Sequence, residues 1–182
     1  MEIKNDNSSK IIFISGGTKS GKSEFAEYIG RKIRKITYIA LSESRPNDIN
    51  WQKKISQHRK RRPKDWELIE TNNLISALES VNSPILIDSI GGFIMESINK
   101  NDEEWDKKIS FLLDLLKERK KTTLIVGEQV GWSLVSEYEI GNKYIERIGD
   151  LQKKLSMISH ENWLTVNGRA IRLDNISFEI PT

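Results

Sequence analysis

The stretch GGTKSGKS, residues 16–23, limits what this chain can fold into more than any other part of the sequence. It follows the apolar run IIFIS and precedes a segment with helical spacing, which is the order of a buried strand, a glycine-rich loop and an amphipathic helix. The pattern G-x-x-x-x-G-K-[ST], which needs this context, is matched by Gly16, Gly21, Lys22 and Ser23. We therefore interpret the stretch as a phosphate-binding loop rather than an ordinary turn.

The residue types in this loop suit the triphosphate of a nucleotide. Glycines let successive backbone N–H groups turn toward an anion, and the start of the helix adds free N–H groups and a positive dipole end. Lys22 provides a mobile charge for the β and γ phosphates, and Ser23 provides a hydroxyl ligand for Mg²⁺. The sequence thus predicts a nucleotide-binding set made of Gly16, Gly17, Thr18, Lys19, Ser20, Gly21, Lys22 and Ser23.

The rest of the chain alternates between strand-like and helix-like patterns. Short apolar runs rich in β-branched residues, as in buried parallel strands, occupy residues 11–15, 36–40, 84–88 and 122–126. Apolar residues recur at helical spacing in 22–34, and a stripe from Trp105 to Leu116, belonging to the core or a subunit interface, marks a helix over 104–119. Parallel strands need crossover connections, so we predict an α/β fold with a doubly wound, mostly parallel sheet.

The two ends of the chain have different characters. Near the C-terminus, Asn167-Gly168 lies between two strand-like runs and suits a two-residue hairpin turn with positive φ angles, which predicts an antiparallel last pair of strands. Residues 1–10 are polar and are expected to form a flexible tail. With 182 residues and no linker-like stretch, we expect a single nucleotide-binding domain over 11–182.

Composition excludes several classes of protein. The chain has no cysteine, which rules out disulfides, thiolate metal sites and cysteine nucleophiles, and its two histidines lie far apart in sequence, which argues against a zinc site. No run approaches the roughly 18 apolar residues of a membrane helix, so we expect a cytoplasmic protein without a membrane segment. A net charge of +3 is too small a bias to indicate nucleic acid by itself.

An acidic residue ends one of the predicted inner strands. Asp88 closes the run SPILID, and ligands of such sheets bind at the carboxyl ends of the strands. A carboxylate there could hold Mg²⁺ through its water shell or accept the proton of an incoming hydroxyl. The alternative is that Asp88 caps the helix that opens at Ser89. A phosphate loop in the same chain favours the first interpretation, with Ser23 and Asp88 as the magnesium ligands.

A basic segment, residues 53–64, holds seven lysines or arginines and no acid. It contains His58, and Arg62 follows four residues later, on the same face if the segment is helical. A neutral imidazole is a capable nucleophile toward phosphorus, and surrounding cations would hold a triphosphate and favour the neutral form. Residue chemistry alone leaves three interpretations open: a catalytic histidine, a solvated basic face, and a patch for nucleic acid.

Together these segments resemble one enzyme family. The chain resembles the adenosylcobinamide kinase / adenosylcobinamide-phosphate guanylyltransferase family. Several segments occur here in the same order as in that family: GGTKSGKS, TYIALSE, the pattern I-x-x-H-x-x-x-R-P-x-x-W from Ile55 to Trp66, ILIDS, VGEQVG and the WLTVNG hairpin. The resemblance extends from Lys10 to Leu173. The loop alone is shared by many families, whereas the loop combined with the His-x-x-x-Arg-Pro segment is specific.

The resemblance implies two linked reactions of cobalamin biosynthesis. Such enzymes phosphorylate the aminopropanol hydroxyl of adenosylcobinamide with ATP or GTP, and then pass GMP from GTP to the product through a guanylylated histidine. His58 takes the position of that histidine, with Arg59 and Arg62 neutralising the departing pyrophosphate. The kinase reaction would use Lys22, Ser23 and Asp88. The family also implies a RecA-like phosphate-loop fold, a corrinoid partner and a homo-oligomer, often a trimer.

Some positions depart from the family pattern, and two other functions stay open. Where the family reads N-E-V-G, this chain has Glu128-Gln129-Val130-Gly131, and Arg147 is the only arginine in the stretch 133–154, which is arginine-rich in the family. One alternative is another phosphate-loop kinase or ATPase for small molecules, in which His58 has no catalytic role. The other is a nucleic-acid-associated ATPase that holds phosphates with the basic segment. The resemblance itself implies no nucleic-acid partner.

Overall fold

A seven-stranded sheet forms the centre of the computed structural model, which describes residues 9–33, 35–41, 62–132 and 136–180. The strands are β1 Ile11–Gly16, β2 Thr37–Leu41, β3 Glu67–Thr71, β4 Ile85–Asp88, β5 Thr123–Glu128, β6 Glu161–Val166 and β7 Arg169–Arg172. Their spatial order is β3-β2-β4-β5-β1-β6-β7. Neighbouring strands are parallel except β6 and β7, which are antiparallel.

Helices cover both faces of the sheet. They are α1 Lys22–Gly30, α2 Leu74–Ser80, α3 Gly91–Glu96, α4 Asp102–Glu118 and α5 Glu139–Ile158, and a short 3₁₀ helix, Leu173–Asn175, follows β7. Side chains alternate along β1, so Phe13 joins the core formed with α2 to α5, whereas Ile14 joins the core formed with α1. The predicted doubly wound, mostly parallel α/β fold with an antiparallel C-terminal hairpin is confirmed.

The helix predicted over 104–119 is α4, and its start is specified locally. Asn101 accepts a hydrogen bond from the backbone N–H of Glu104, whose side chain accepts one from the backbone N–H of Asn101, so both members of a capping box are present. The apolar stripe is buried, with Trp105 4% exposed and Leu116 1% exposed. Of the two locations predicted for this stripe, the structure shows the core.

The helix predicted over 22–34 is shorter than expected, because α1 ends at Gly30. The chain then tightens, with the backbone N–H of Ile33 donating to the carbonyl of Gly30, three residues earlier, at 2.8 Å. Lys35 takes a positive φ of 60° just before β2. Ile33 still packs against the core on the α1 side, so the apolar spacing persists beyond the end of the helix.

The predicted hairpin is present, whereas three other elements had no clear pattern in the sequence. Asn167 and Gly168 have φ angles of 49° and 72°, and they join β6 to β7 as a two-residue turn requires. The strand β3 lies at the edge of the sheet, where its side chains alternate between exposed and half-buried. Helices α2 and α3 span seven and six residues, too few for a helical period to stand out.

Several predictions concern residues outside the described ranges. Most of the predicted tail, residues 1–8, lies there, and so does the greater part of the basic segment, including His58 and Arg59. The division into a tail and a single domain over 11–182 therefore stays a prediction. Within the described ranges, no helix combines the length and the apolar character needed to cross a membrane.

Candidate active site

The carboxyl ends of the parallel strands β1, β4 and β5 meet at one edge of the sheet, and most of the described site residues predicted from the sequence lie there. The strand β1 ends in the phosphate loop, β4 ends at Asp88, and β5 ends at Glu128. In the sheet, β5 lies between β1 and β4, and Gly16 is paired in register with Glu128. Open α/β sheets bind ligands at this edge, so the topology brings together residues that are distant in sequence.

The loop from Gly16 to Ser23 turns sharply into α1. Gly21 is the N-cap of this helix with φ 98° and ψ 10°, a left-handed conformation that favours glycine. The backbone N–H of Ser20 donates to the carbonyl of Gly17 at 3.3 Å, and Lys22 Nζ donates to the same carbonyl at 3.1 Å. The lysine side chain therefore folds over the loop, where it is close to any anion that the loop amides bind.

The C-terminal hairpin supports this loop from one side. The hydroxyl of Thr165, on β6, lies 2.8 Å from Ser20 Oγ and donates to the carbonyl of Ser15 at 3.2 Å. In the turn that follows β6, the backbone N–H of Gly168 donates to the carbonyl of Ser20 at 3.1 Å. A Cβ atom on Gly16 would overlap Thr165 Oγ1 and lie 2.5 Å from Ser20 Oγ, so only glycine fits there.

Asp88 lies next to the loop, as the sequence predicted for a metal-binding carboxylate. Its Oδ1 accepts a hydrogen bond from Ser23 Oγ at 3.2 Å, and its Oδ2 accepts one from the hydroxyl of Tyr38 at 2.5 Å. The alternative, in which Asp88 caps the following helix, does not match the structure, because α3 begins at Gly91 with Ile90 as its N-cap and without a side-chain capping hydrogen bond.

Tyr38 connects this carboxylate to Arg62, in the part of the basic segment that the structure describes. The Tyr38 ring is 2% exposed, and the guanidinium carbon of Arg62 lies 3.8 Å from its centroid. Burial and the neighbouring Asp88 both raise the pKa of the Tyr38 phenol, so the hydroxyl remains a hydrogen-bond donor at neutral pH. Arg62 is thus the one residue of the predicted pyrophosphate-binding pair that the structure describes, and it lies beside the loop edge.

Glu128 is a site residue that the sequence reasoning did not select. It is partly buried, and its carboxylate accepts hydrogen bonds from Ser89 Oγ and, at 3.3 Å, from the backbone N–H of Gly91. Removal from water raises the pKa of this carboxyl, and the negative charge of Asp88 raises it further. The hydrogen bond from Ser89 and the positive charge of Lys22 lower it, but the net shift is upward. The carboxylate of Glu128 therefore interacts electrostatically with both Lys22 and Asp88.

Neighbouring side chains hold the backbone of Glu128 in place. Gln152, on α5, donates from Nε2 to the carbonyl of Glu128 at 2.8 Å and accepts from Gln129 Nε2 at 3.0 Å. Arg147 does not join the site; it is 5% exposed and donates to the carbonyls of Ser97, Ile98 and Lys100. Its role in the structure is to hold the connection between α3 and α4.

The second histidine of the chain lies at the opposite edge of the sheet. His160 Nδ1 accepts a hydrogen bond from the backbone N–H of Ile11, at the start of β1, at 3.1 Å. Among the described residues, no group of three or more histidine, cysteine, aspartate or glutamate side chains is placed to hold a metal ion.

Comparison with known proteins identifies the family. A family model described as cobinamide kinase / cobinamide phosphate guanyltransferase (CobU) matches residues 12–173. The chain belongs to this family. The membership predicted from the sequence is therefore confirmed, and with it the assignment to kinase and guanylyltransferase enzymes of cobalamin biosynthesis.

Relatives in the CobU family agree with this assignment, and solved structures show a similar fold. The bifunctional adenosylcobalamin biosynthesis proteins CobU of Escherichia coli K12 and Salmonella typhimurium LT2 are each 24% identical over 90% of this chain and 99% of their own. The type III secretion ATPase EscN of enteropathogenic E. coli is 14% identical, with a TM-score of 0.54 over 87% of this chain and 43% of its own. A Pyrococcus horikoshii OT3 protein is 10% identical, with a TM-score of 0.53 over 96% and 93%.

Proposed function

We propose that this protein phosphorylates adenosylcobinamide with ATP or GTP, and then transfers GMP from GTP to adenosylcobinamide phosphate through a guanylylated His58, giving adenosylcobinamide-GDP. The observation that carries the proposal is a continuous set of contacts from the phosphate loop to the basic segment. Ser23 donates to Asp88, Tyr38 donates to the same carboxylate, and Arg62 lies on the Tyr38 ring. Residues assigned to the two reactions thus lie side by side.

In the kinase reaction, the loop amides and Lys22 would hold the β and γ phosphates of the nucleotide. The hydroxyl oxygen of the corrinoid side chain forms a bond to the γ phosphorus, and the bond from that phosphorus to the β–γ bridging oxygen breaks. The positive charge of Lys22 favours this transfer because negative charge accumulates on the leaving diphosphate. The position of the loop between the end of β1 and the start of α1 supports these proposed roles.

The residues beside the loop fit Mg²⁺, the metal that the sequence predicted. Magnesium prefers oxygen ligands, and Ser23 Oγ and Asp88 Oδ1 lie 3.2 Å apart at the loop edge. Bound there, the ion would neutralise charge on the phosphate oxygens. Tyr38 orients the Asp88 carboxylate through its hydrogen bond at 2.5 Å, whichever oxygen faces the ion.

In the guanylyl transfer, a ring nitrogen of His58 would attack the α phosphorus of GTP. The bond from that phosphorus to the α–β bridging oxygen breaks, pyrophosphate leaves, and a phosphate oxygen of the corrinoid substrate later displaces the histidine. Arg62 supports this assignment because it follows His58 by four positions, which span at most about 14 Å of extended chain. Arg59 would share the neutralisation of pyrophosphate with Arg62.

Covalent labelling tests the guanylyl transfer directly. The protein is incubated with GTP labelled at the α phosphate, denatured, and treated with acid or alkali. We expect label that is lost in acid and retained in alkali, as for a phosphorus–nitrogen bond, and no label on His58→Ala. The matched control is His160→Asn, in which the amide oxygen can replace Nδ1 as acceptor for Ile11 and labelling should persist.

Two results would contradict this assignment. Label retained on His58→Ala would place the covalent intermediate elsewhere, and a wild-type protein that binds GTP without retaining label would have no such intermediate.

The kinase reaction is measured separately, with γ-labelled ATP and adenosylcobinamide, and Lys22→Ala should abolish this transfer. Assembly into a homo-oligomer, a trimer in the family pattern, and a cytoplasmic location stay predictions.

A further inference from the structure

Glu128 occupies the position between the two parts of the kinase site. It closes β5, the strand that lies between β1 and β4, and its backbone is level with Gly16 at the start of the loop. The next strand, β4, ends at Asp88. A carboxylate at this point is therefore flanked by the phosphate-binding backbone on one side and by the proposed metal ligand on the other.

Asp88 is poorly suited to accept a proton from the substrate. Its Oδ1 accepts a hydrogen bond from Ser23, the other proposed magnesium ligand, so the carboxylate borders the proposed metal position. A carboxylate that also faces a cation is a weak proton acceptor, because the positive charge favours its deprotonated form. The metal-binding role proposed for Asp88 therefore leaves the proton of the incoming hydroxyl to another group.

The contacts of Glu128 suit that task. Its carboxylate is held by two neutral donors, the hydroxyl of Ser89 and the backbone N–H of Gly91, and Gln152 fixes its carbonyl. Removal from water raises the pKa of the Glu128 carboxyl. A positioned carboxylate with increased basicity is what general-base catalysis near neutral pH requires.

Three titratable side chains act on this carboxylate from the elements around it. Lys22 on α1 favours its charged form and Asp88 at the end of β4 disfavours it. Tyr144 on α5 faces it as well, and its own pKa is raised by burial and by the charge of Glu128. Any pH dependence assigned to Glu128 therefore has to be measured against substitution of Glu128 itself.

We propose that Glu128 is the proton acceptor of the kinase reaction, an inference that rests on the proposed phosphorylation of the corrinoid hydroxyl. As the hydroxyl oxygen bonds to the γ phosphorus, the nucleoside diphosphate leaves with the electron pair of the broken bond, and the hydroxyl proton passes to a Glu128 carboxylate oxygen. The guanylyl transfer has no such requirement, because its acceptor is a phosphate oxygen that is already ionised. Glu128 is thus a catalytic residue of one reaction and not of the other.

The test is Glu128→Gln, which keeps an acceptor oxygen for Ser89 and removes the basic carboxylate. Kinase activity is measured with adenosylcobinamide and ATP, and guanylyl transfer with GTP and adenosylcobinamide phosphate supplied as substrate. We expect the kinase kcat to fall about 100-fold or more while guanylyl transfer is retained. Glu118→Gln, an exposed substitution at the far end of α4, is the control and should leave both activities unchanged.

Two further measurements separate a base from a structural or metal-binding group. The wild-type kinase kcat should fall at acid pH as Glu128 becomes protonated, and Glu128→Gln should lack this fall. The melting temperature of the variant should stay close to that of wild type, because the loss of one hydrogen bond, which the amide Nε2 cannot accept, is offset by removal of a carboxylate whose charged form is disfavoured by desolvation. Both results would support proton transfer and oppose a structural role.

Three outcomes would overturn the inference. The first is a kinase kcat of the variant within threefold of wild type. The second is recovery of that kcat at high Mg²⁺ concentration, which would make Glu128 a metal-binding residue. The third is loss of both activities together with a lower melting temperature, which would make it structural. A wild-type protein without kinase activity would instead contradict the proposed function, so the two failures are distinguishable.

Discussion

The hydroxyl and the ring of Tyr38 should have separable effects on the two proposed reactions. Its hydroxyl donates to Asp88 at 2.5 Å, and its ring carries the guanidinium of Arg62 at 3.8 Å. Tyr38→Phe removes only the hydroxyl, whereas Tyr38→Leu removes the ring as well. The first change should therefore damage the kinase reaction alone, and the second should also damage the guanylyl transfer.

The size of the hydroxyl effect follows from its partner. A hydrogen bond to a charged group contributes about 1.5–3 kcal/mol to stability. For a domain of this length, a loss of about 2 kcal/mol lowers the melting temperature by about 4–8 °C. The kinase kcat should fall roughly tenfold, because the carboxylate that orients the metal loses one of its fixed hydrogen bonds.

Thermal unfolding, kinase kinetics and α-labelled GTP provide the three measurements. Tyr28→Phe is the matched control, since Tyr28 lies on α1 with half of its surface exposed. Covalent labelling should persist in Tyr38→Phe, because a phenylalanine ring still supports the guanidinium of Arg62. Wild-type stability and kinase activity in Tyr38→Phe would refute the hydrogen-bond argument. Labelling lost equally in the Phe and Leu variants would refute the separation of the two halves.

Two further predictions concern the loop and the stability of the fold. Gly16→Ala should abolish ATP binding detectable by calorimetry, because the added Cβ would overlap Thr165 and crowd Ser20. The control is Gly17→Ala, whose added Cβ meets nothing within 4 Å and which should bind ATP nearly as well as wild type. Asn101→Ala removes the capping box of α4 and should cost about 1 kcal/mol of unfolding free energy in urea, with kinase activity unchanged; equal stability, or lost activity, would contradict this assignment.

The predictable parts of the fold are those with a local physical cause. The phosphate loop needs glycine at fixed positions, the hairpin needs Asn167-Gly168, and α4 needs its apolar stripe, so each pattern is visible in the sequence. The edge strand β3 has little such pattern, because its burial depends on pairing with β2. The end of α1 at Gly30 could not be predicted from apolar spacing, because Ile33 continues the apolar pattern beyond the helix.

The sequence predicted those site residues whose position is marked by a local pattern, such as an acidic residue at the end of an apolar strand. Asp88 follows an apolar strand, and the same rule applied to the run ending in Glu128 would have selected that residue too. Tyr38 could not be found in this way, because a tyrosine inside a buried strand looks like any other core residue. Its role depends on the register of β2 beside β4, which places Ala40 level with Asp88.

The contact between the phosphate loop and the C-terminal hairpin has a consequence for the synthesis of the chain. The ribosome makes the loop well before Thr165 and Gly168, which hydrogen-bond to it. The strand β1 likewise cannot pair with its two neighbours in the sheet, β5 and β6, until both have been synthesised. A nascent polypeptide therefore carries an unsupported loop until β6 and the turn after it have been made, and we expect nucleotide capture only from that point on.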